Sequence, residues 1–194
     1  MKMRQASLIL LYITFILPSF TFSQNNRIGV GGYIGNGLSI NANYSYSIDN
    51  SFFVQPNINA SITKDDKETF SFMTYEINVG YYLLNGESNK LYFTLGGSYN
   101  SFISQSREGN ASFISDIQPP YYFTGRTREN CFGLTGKLGV ITNISGWFTI
   151  GLEVRYLVLF PKVQYNYIPK EYSTSKGTET YNMVLIGILF GFSF

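Results

Sequence analysis

The chain has no histidine and a single cysteine, and only a few of its residues are charged, which narrows early what chemistry it could perform. Without imidazole, neither a Ser-His nor a Cys-His nucleophile can be assembled, and the usual nitrogen ligand for a metal is missing. Cys131 stands alone, and an unpaired thiol in an oxidising compartment reads as a buried bystander in preference to half of an intermolecular bridge. A carboxylate-only site remains open on chemistry alone. The expectation is nonetheless a protein that is not an enzyme and carries no cofactor and no metal. The side chains that could act together are Glu76, Lys137, Glu153 and Arg155, isolated charges set among Thr, Ser, Asn and Gly.

Those four residues sit in stretches with a two-residue period, the signature of strands with one apolar and one polar face. Between Leu38 and Ile48, Leu, Ile, Ala, Tyr, Tyr and Ile alternate with Ser and Asn. Ser51 to Ile62 continues the pattern after an Asp49-Asn50 turn, with Pro56 as a mild objection because it withholds a ladder hydrogen bond. Met73 to Leu83, Leu91 to Asn100, Phe132 to Val140 and Phe148 to Phe160 alternate likewise, with turns at Asn85–Lys90 and Asn143–Gly146. Arg27 to Ile34 supplies a first strand and Thr180 to Phe194 a last one, bringing the expected count to eight. In every case Glu76, Lys137, Glu153 and Arg155 fall on the polar parity at mid-strand depth.

The bulky parity needs a cover. The closing stretch carries Val184, Ile186, Ile188, Phe190, Phe192 and Phe194 on one face and no charge at all, which in water would invite aggregation. A lipid bilayer is the cover that fits, and only helices and closed barrels can cross one, because every backbone group must be satisfied there. After the N-terminus no apolar run approaches helix length, so the expected architecture is an all-β, eight-stranded antiparallel up-and-down transmembrane β-barrel, residues 24–194. Residues 1–23 read as a signal peptide: Lys2 and Arg4, an apolar run shorter than the roughly 20 residues a spanning helix needs, then Thr21-Phe22-Ser23. The formal net charge of +2 leaves no basic stripe for nucleic acid.

Connection lengths imply an orientation. Short turns follow the second, fourth and sixth strands, whereas Lys64–Glu68, Ser106–Thr127 and Lys162–Gly177 are longer, and barrels of this kind keep short turns in the periplasm. Gly35-Asn36-Gly37 would form a low rim on the loop side. Tyr46, Phe52, Tyr81, Tyr82, Trp147, Phe148, Tyr156 and Phe160 lie near strand ends, where interfacial aromatic girdles occur.

With this alternation and the closing Phe192-Ser193-Phe194, the chain resembles the small eight-stranded bacterial outer-membrane barrels, the superfamily of the OmpA transmembrane domain, OmpX and OmpW. Leu189 stands where that superfamily usually has glycine. The resemblance implies an integral outer-membrane protein that contacts lipids and lipopolysaccharide, and a barrel-assembly machinery that reads Phe192 and Phe194. An eight-stranded barrel is just wide enough for its own side chains to fill it. Glu76, Lys137, Glu153 and Arg155 are therefore expected to pair inside as a plug, with a gate or proton path as the sharper reading. Tyr121, Tyr122, Phe123, Tyr165 and Tyr167 are candidate contacts for an external ligand of unknown identity, although Tyr-rich strands that simply extend above the membrane would explain them equally well. The rival functions are a narrow OmpW-like conduit for small or hydrophobic solutes and a lipid-modifying enzyme, the latter weakened by the missing histidine. A soluble lipocalin-like barrel would need the large apolar residues to point inward.

Overall fold

The computed structural model describes residues 26–65, 68–107, 112–114, 121–168 and 174–194. The expected signal peptide lies outside the described residues. Eight strands close into an antiparallel barrel: β1 (Asn26–Gly35), β2 (Gly37–Ser47), β3 (Phe52–Asp65), β4 (Glu68–Asn85), β5 (Asn89–Arg107), β8 (Cys131–Ser145), β9 (Phe148–Leu159) and β12 (Tyr181–Ser193). β1 pairs with β12, as Val30 opposite Phe190 illustrates, so no edge is left open. The shortest barrel strand has 10 residues and the longest 19. Each meets the roughly 9–11 tilted residues that cross a bilayer.

Parity sorts the side chains as the alternation requires. Ile40, Ile77, Leu95, Phe132 and Leu152 face outward and Asn41, Asn57, Thr74, Asn78 and Thr135 are buried inside. Two outward residues, Ile40 at 72% and Phe132 at 75% exposed, mark how completely this band gives its apolar surface to its surroundings. An apolar belt of this extent is far larger than a water-soluble monomer tolerates, and a hydrocarbon environment removes the cost. At the end bearing the short turns, Trp147 stacks on Phe192 with ring centroids 5.7 Å apart, and Phe52 meets Tyr81 edge-on at 5.0 Å. Tyr82 departs from the expected girdle: it shares the inward parity of Glu76 and Asn78, pairs with inward Tyr92 and packs its ring on Phe53 at 4.7 Å. Pro56 is accommodated locally. The β2–β3 register skips Tyr44 and Ser45, the residues that would face Pro56 and Gln55, and the Gln55 amide nitrogen donates to Ser45 Oγ at 3.1 Å instead.

At the opposite end the long connections are not irregular throughout. β6 (Ser112–Ile114), β7 (Tyr121–Arg128), β10 (Lys162–Ile168) and β11 (Thr174–Thr178) form a second sheet in the order β11-β10-β7-β6. That order repeats β12-β9-β8 in the barrel, because β7, β10 and β11 continue those three strands past breaks at residues 129–130, 160–161 and 179–180. Pro161 sits in one break, where a residue without an N–H can interrupt a ladder at little cost. Two backbone bonds span the breaks, from Glu129 to Lys162 at 2.9 Å and from Glu179 to Pro161 at 3.0 Å. Tyr121–Phe123 and Tyr165–Tyr167 thus lie in strands that extend past the barrel.

Candidate functional site: the sealed barrel interior

The four charges converge from three strands. Glu76 comes from β4, Lys137 from β8, and Glu153 and Arg155 from β9; their exposures are 2%, 4%, 2% and 0%. Register places Lys137 directly opposite Arg155, an arrangement of like charges that would repel if left alone. Glu76 resolves it from across the lumen: Lys137 Nζ lies 3.1 Å from Glu76 Oε2, and Arg155 Nη2 donates to Glu76 Oε1. Glu153 accepts the Tyr33 hydroxyl at 2.6 Å and the Tyr92 hydroxyl at 2.5 Å, with Lys137 Nζ 3.9 Å away. Lys137 also donates to Asn57 Oδ1 at 3.0 Å, and Asn78 donates to Glu76 Oε2 at 3.2 Å. Two carboxylates thus meet two cations, so the level is formally neutral and most of its hydrogen-bonding capacity is used internally. Arg155 Nε and Nη1 find no partner among the described residues.

A ladder of neutral polar groups widens this level. The Asn43 amide donates to Asn41 at 2.7 Å, Asn41 donates to Asn59 at 2.8 Å, and Thr74 donates to Asn100 at 2.8 Å. Every one of these donors sits on the inward parity, where a small polar side chain can reach the neighbouring strand.

Above and below, apolar clusters join the polar side chains, which the expectation of a lumen lined by Thr, Ser, Asn and Gly did not include. Towards the long-loop end Phe70, Phe72, Leu157, Leu159, Met183 and Leu185 form a buried cluster that also takes in Cys131 and the ring of Tyr33. Arg128 lies over the Phe70 ring at 4.3 Å. Cys131 is buried in this cluster with a free thiol, as a bystander would be. Towards the short-turn end Phe53, Tyr92 and Ile141 make a smaller cluster. Inward glycines give the rings their room. A Cβ on Gly187 would come within 2.2 Å of the Tyr33 ring, one on Gly80 within 2.1 Å of Phe53, and one on Gly139 within 2.5 Å of Tyr92. The signal was available in the sequence: an inward glycine on one strand opposite an inward aromatic on the next, as Gly187 opposite Tyr33 and Gly139 opposite Tyr92 are in register.

The other candidates are distributed differently. Phe192 and Phe194 lie at the short-turn end facing outward, with Phe192 in the Trp147 stack. Tyr121, Tyr122 and Phe123 belong to β7 and Tyr165 and Tyr167 to β10, so both sets are in the projecting sheet and far from the ion cluster. Tyr167 pairs with Phe123 along the backbone, but the side chains of these five residues lie outside the described set.

A closed eight-stranded barrel with an apolar outer belt and a filled, charge-paired interior defines a small transmembrane barrel. No family model and no curated protein sequence matches the chain. Among solved structures it is similar to the outer membrane protein OprG from Pseudomonas aeruginosa, at 15% identity over 88% of this chain and 96% of that one, with a TM-score of 0.55. It is also similar to the N-terminal beta-barrel domain of Pseudomonas aeruginosa OprF, at 13% identity over 88% of this chain and 98% of that one, TM-score 0.50. The chain has the fold of the small outer-membrane barrels.

Proposed function

We propose that this protein is a non-enzymatic integral component of a bacterial outer membrane, in which a plugged barrel anchors a β-sheet projecting from the cell surface. Export by the signal peptide at residues 1–23 and orientation with the short turns in the periplasm belong to the same reading. So does recognition of Phe192 and Phe194 by a barrel-assembly machinery. The projecting sheet of β6, β7, β10 and β11 is then the surface that meets an external partner or lipopolysaccharide head groups.

The observation that carries this reading is the interior. Glu76, Lys137, Glu153 and Arg155 occupy mid-depth with almost no exposure, and apolar clusters close over them on both sides. A solute would have to break a buried ion-pair network to pass, which costs several kcal/mol. Reconstitution in a planar bilayer tests it: the protein is expected to leave the membrane insulating, while migrating faster unboiled than boiled on a denaturing gel. Stepwise conductance from such heat-modifiable material would replace the plug with a conduit.

A further inference from the structure

The short-turn end of the lumen holds a second group of charges that the mid-depth cluster does not balance. Arg27 on β1 and Lys90 on β5 both line a polar cleft at this mouth, together with the hydroxyls of Ser45, Thr149 and Ser193. No Asp or Glu side chain lines the cleft. Among the described residues neither cation is in an ion pair, whereas Lys137 and Arg155 are both engaged by Glu76. Arg27 makes one long bond to Ser45 Oγ at 3.4 Å, and Lys90 lies 5.2 Å from the centre of the Tyr82 ring. The nearby turn carboxylates point to other tasks: Asp49 accepts the amides of Ser51 and Phe52, and Glu87 is exposed in the turn that follows β4.

We infer that this cleft binds a phosphate-type oxyanion. A guanidinium fork and an ammonium converge on it, and such pairs favour an anion with several oxygens over a single carboxylate. Ser45 Oγ already accepts from both Arg27 and Gln55, so its own hydrogen is left to donate into the cleft. The cavity volume of about 30 Å³ gives room for two or three oxygen-sized atoms. That suits part of one tetrahedral group with its remaining oxygen directed out of the mouth, and it is too small for a sugar or a base. Ile141 forms an apolar wall, which strengthens each charge contact relative to open water. The oxyanion could reach the mouth from the aqueous phase or on a lipid headgroup bent over the rim.

The full chain in nanodiscs separates these sources. In purely zwitterionic discs, inorganic phosphate is titrated while the side-chain nitrogen resonances of Arg27 and Lys90 are followed. Saturable shifts of both support a site for free phosphate. Shifts that appear only when the discs contain phosphatidylglycerol support the headgroup as the source. Arg27→Gln and Lys90→Gln are each expected to weaken binding at least about tenfold, with unboiled gel migration unchanged. The charge-preserving pair Arg27→Lys with Lys90→Arg keeps both cations but moves the fork, and it is expected to lose less affinity than either glutamine variant. Unmoved resonances in both disc compositions, or equal affinity in the glutamine variants, would overturn the site.

Discussion

The middle of the barrel interior and its long-loop end are buried alike, yet opposite forces hold them. At mid-depth every contact is directional: Glu76 serves two cations and Glu153 serves two tyrosine hydroxyls. At the loop end Phe70, Phe72, Leu159 and Met183 fill space by shape, with ring centroids of Phe70 and Phe72 6.0 Å apart. The first arrangement depends on each partner being present, because a buried charge without its counterpart is far worse than none. The second degrades with volume. The difference teaches that sealing a narrow barrel needs no particular polarity. What the charged level adds is a fixed match across the lumen, tying β4 to β8 and β9, which are not its neighbours in the wall.

Removing Glu76 should break that contrast most. Glu76→Gln leaves Lys137 and Arg155 facing each other in register with their shared counter-charge removed, and the expected loss is about 4 kcal/mol. Urea unfolding from lipid vesicles would measure it, and a loss under about 1 kcal/mol would mean that the cluster is incidental to stability. At the loop end Leu159→Ala should cost about 3 kcal/mol by leaving a cavity among apolar neighbours. Leu159 lies four positions beyond Arg155 along β9, so the two losses should add within about 0.5 kcal/mol in the double variant if the levels are independent. A clear departure from additivity would merge them into one unit.

Gly139→Ala sharpens the boundary on the other side. Its added methyl meets the Tyr92 ring at 2.5 Å, and the ring must move while its hydroxyl holds Glu153. Overpacking of this kind should cost about 2 kcal/mol in the same urea assay. Because the displaced group is a partner of the ion cluster, the penalty should shrink when Tyr92 is first shortened to leucine. A penalty unchanged in that background would place the strain in the backbone instead.

Much of this could be read before any coordinates. Alternation in stretches such as Leu38–Ile48 assigns the faces of every barrel strand, since side-chain direction has a strict period of two. The same parity sends Glu76, Lys137, Glu153 and Arg155 inward. Their pairing partners were not legible, because β4 reaches β9 only across the lumen and no local spacing encodes that distance. The apolar caps were hidden for another reason. Inward Leu157, Leu159 and Met183 lie beside outward Val158 and Val184, so the alternation fades near the loop end and the segment reads as apolar on both faces. Tyr82 was legible by contrast, since it shares the even-numbered inward parity of Glu76 and Asn78 and its place near a strand end does not turn it outward. The projecting sheet was half visible in the tyrosines of Tyr121–Phe123 and Tyr165–Tyr167, whose β-propensity is high but whose length falls short of a membrane crossing.

The weakest tie to probe lies in the turn between β2 and β3, outside the bilayer. Asp49 Oδ1 accepts the amides of Phe52 at 2.7 Å and Ser51 at 2.6 Å. These two bonds, with Phe52 the larger influence, hold the Asp49 carboxyl below the usual carboxylate range. A lowered folded-state pKa means that the carboxylate form favours the fold, so its contribution is complete at neutral pH and fades as the pH falls through the lowered value. Asp49→Asn keeps an acceptor oxygen and removes only the charge. The variant should therefore unfold at slightly lower urea than the parent near neutral pH, and the gap should close in acid once the parent's Asp49 is protonated. A gap that persists unchanged into acid would assign the effect to the shape of the turn. The ion cluster behaves differently on the same axis, since Glu76 is shielded from solvent while Asp49 is fully open to it, so the turn's small loss should be separable from any larger acid transition of the interior.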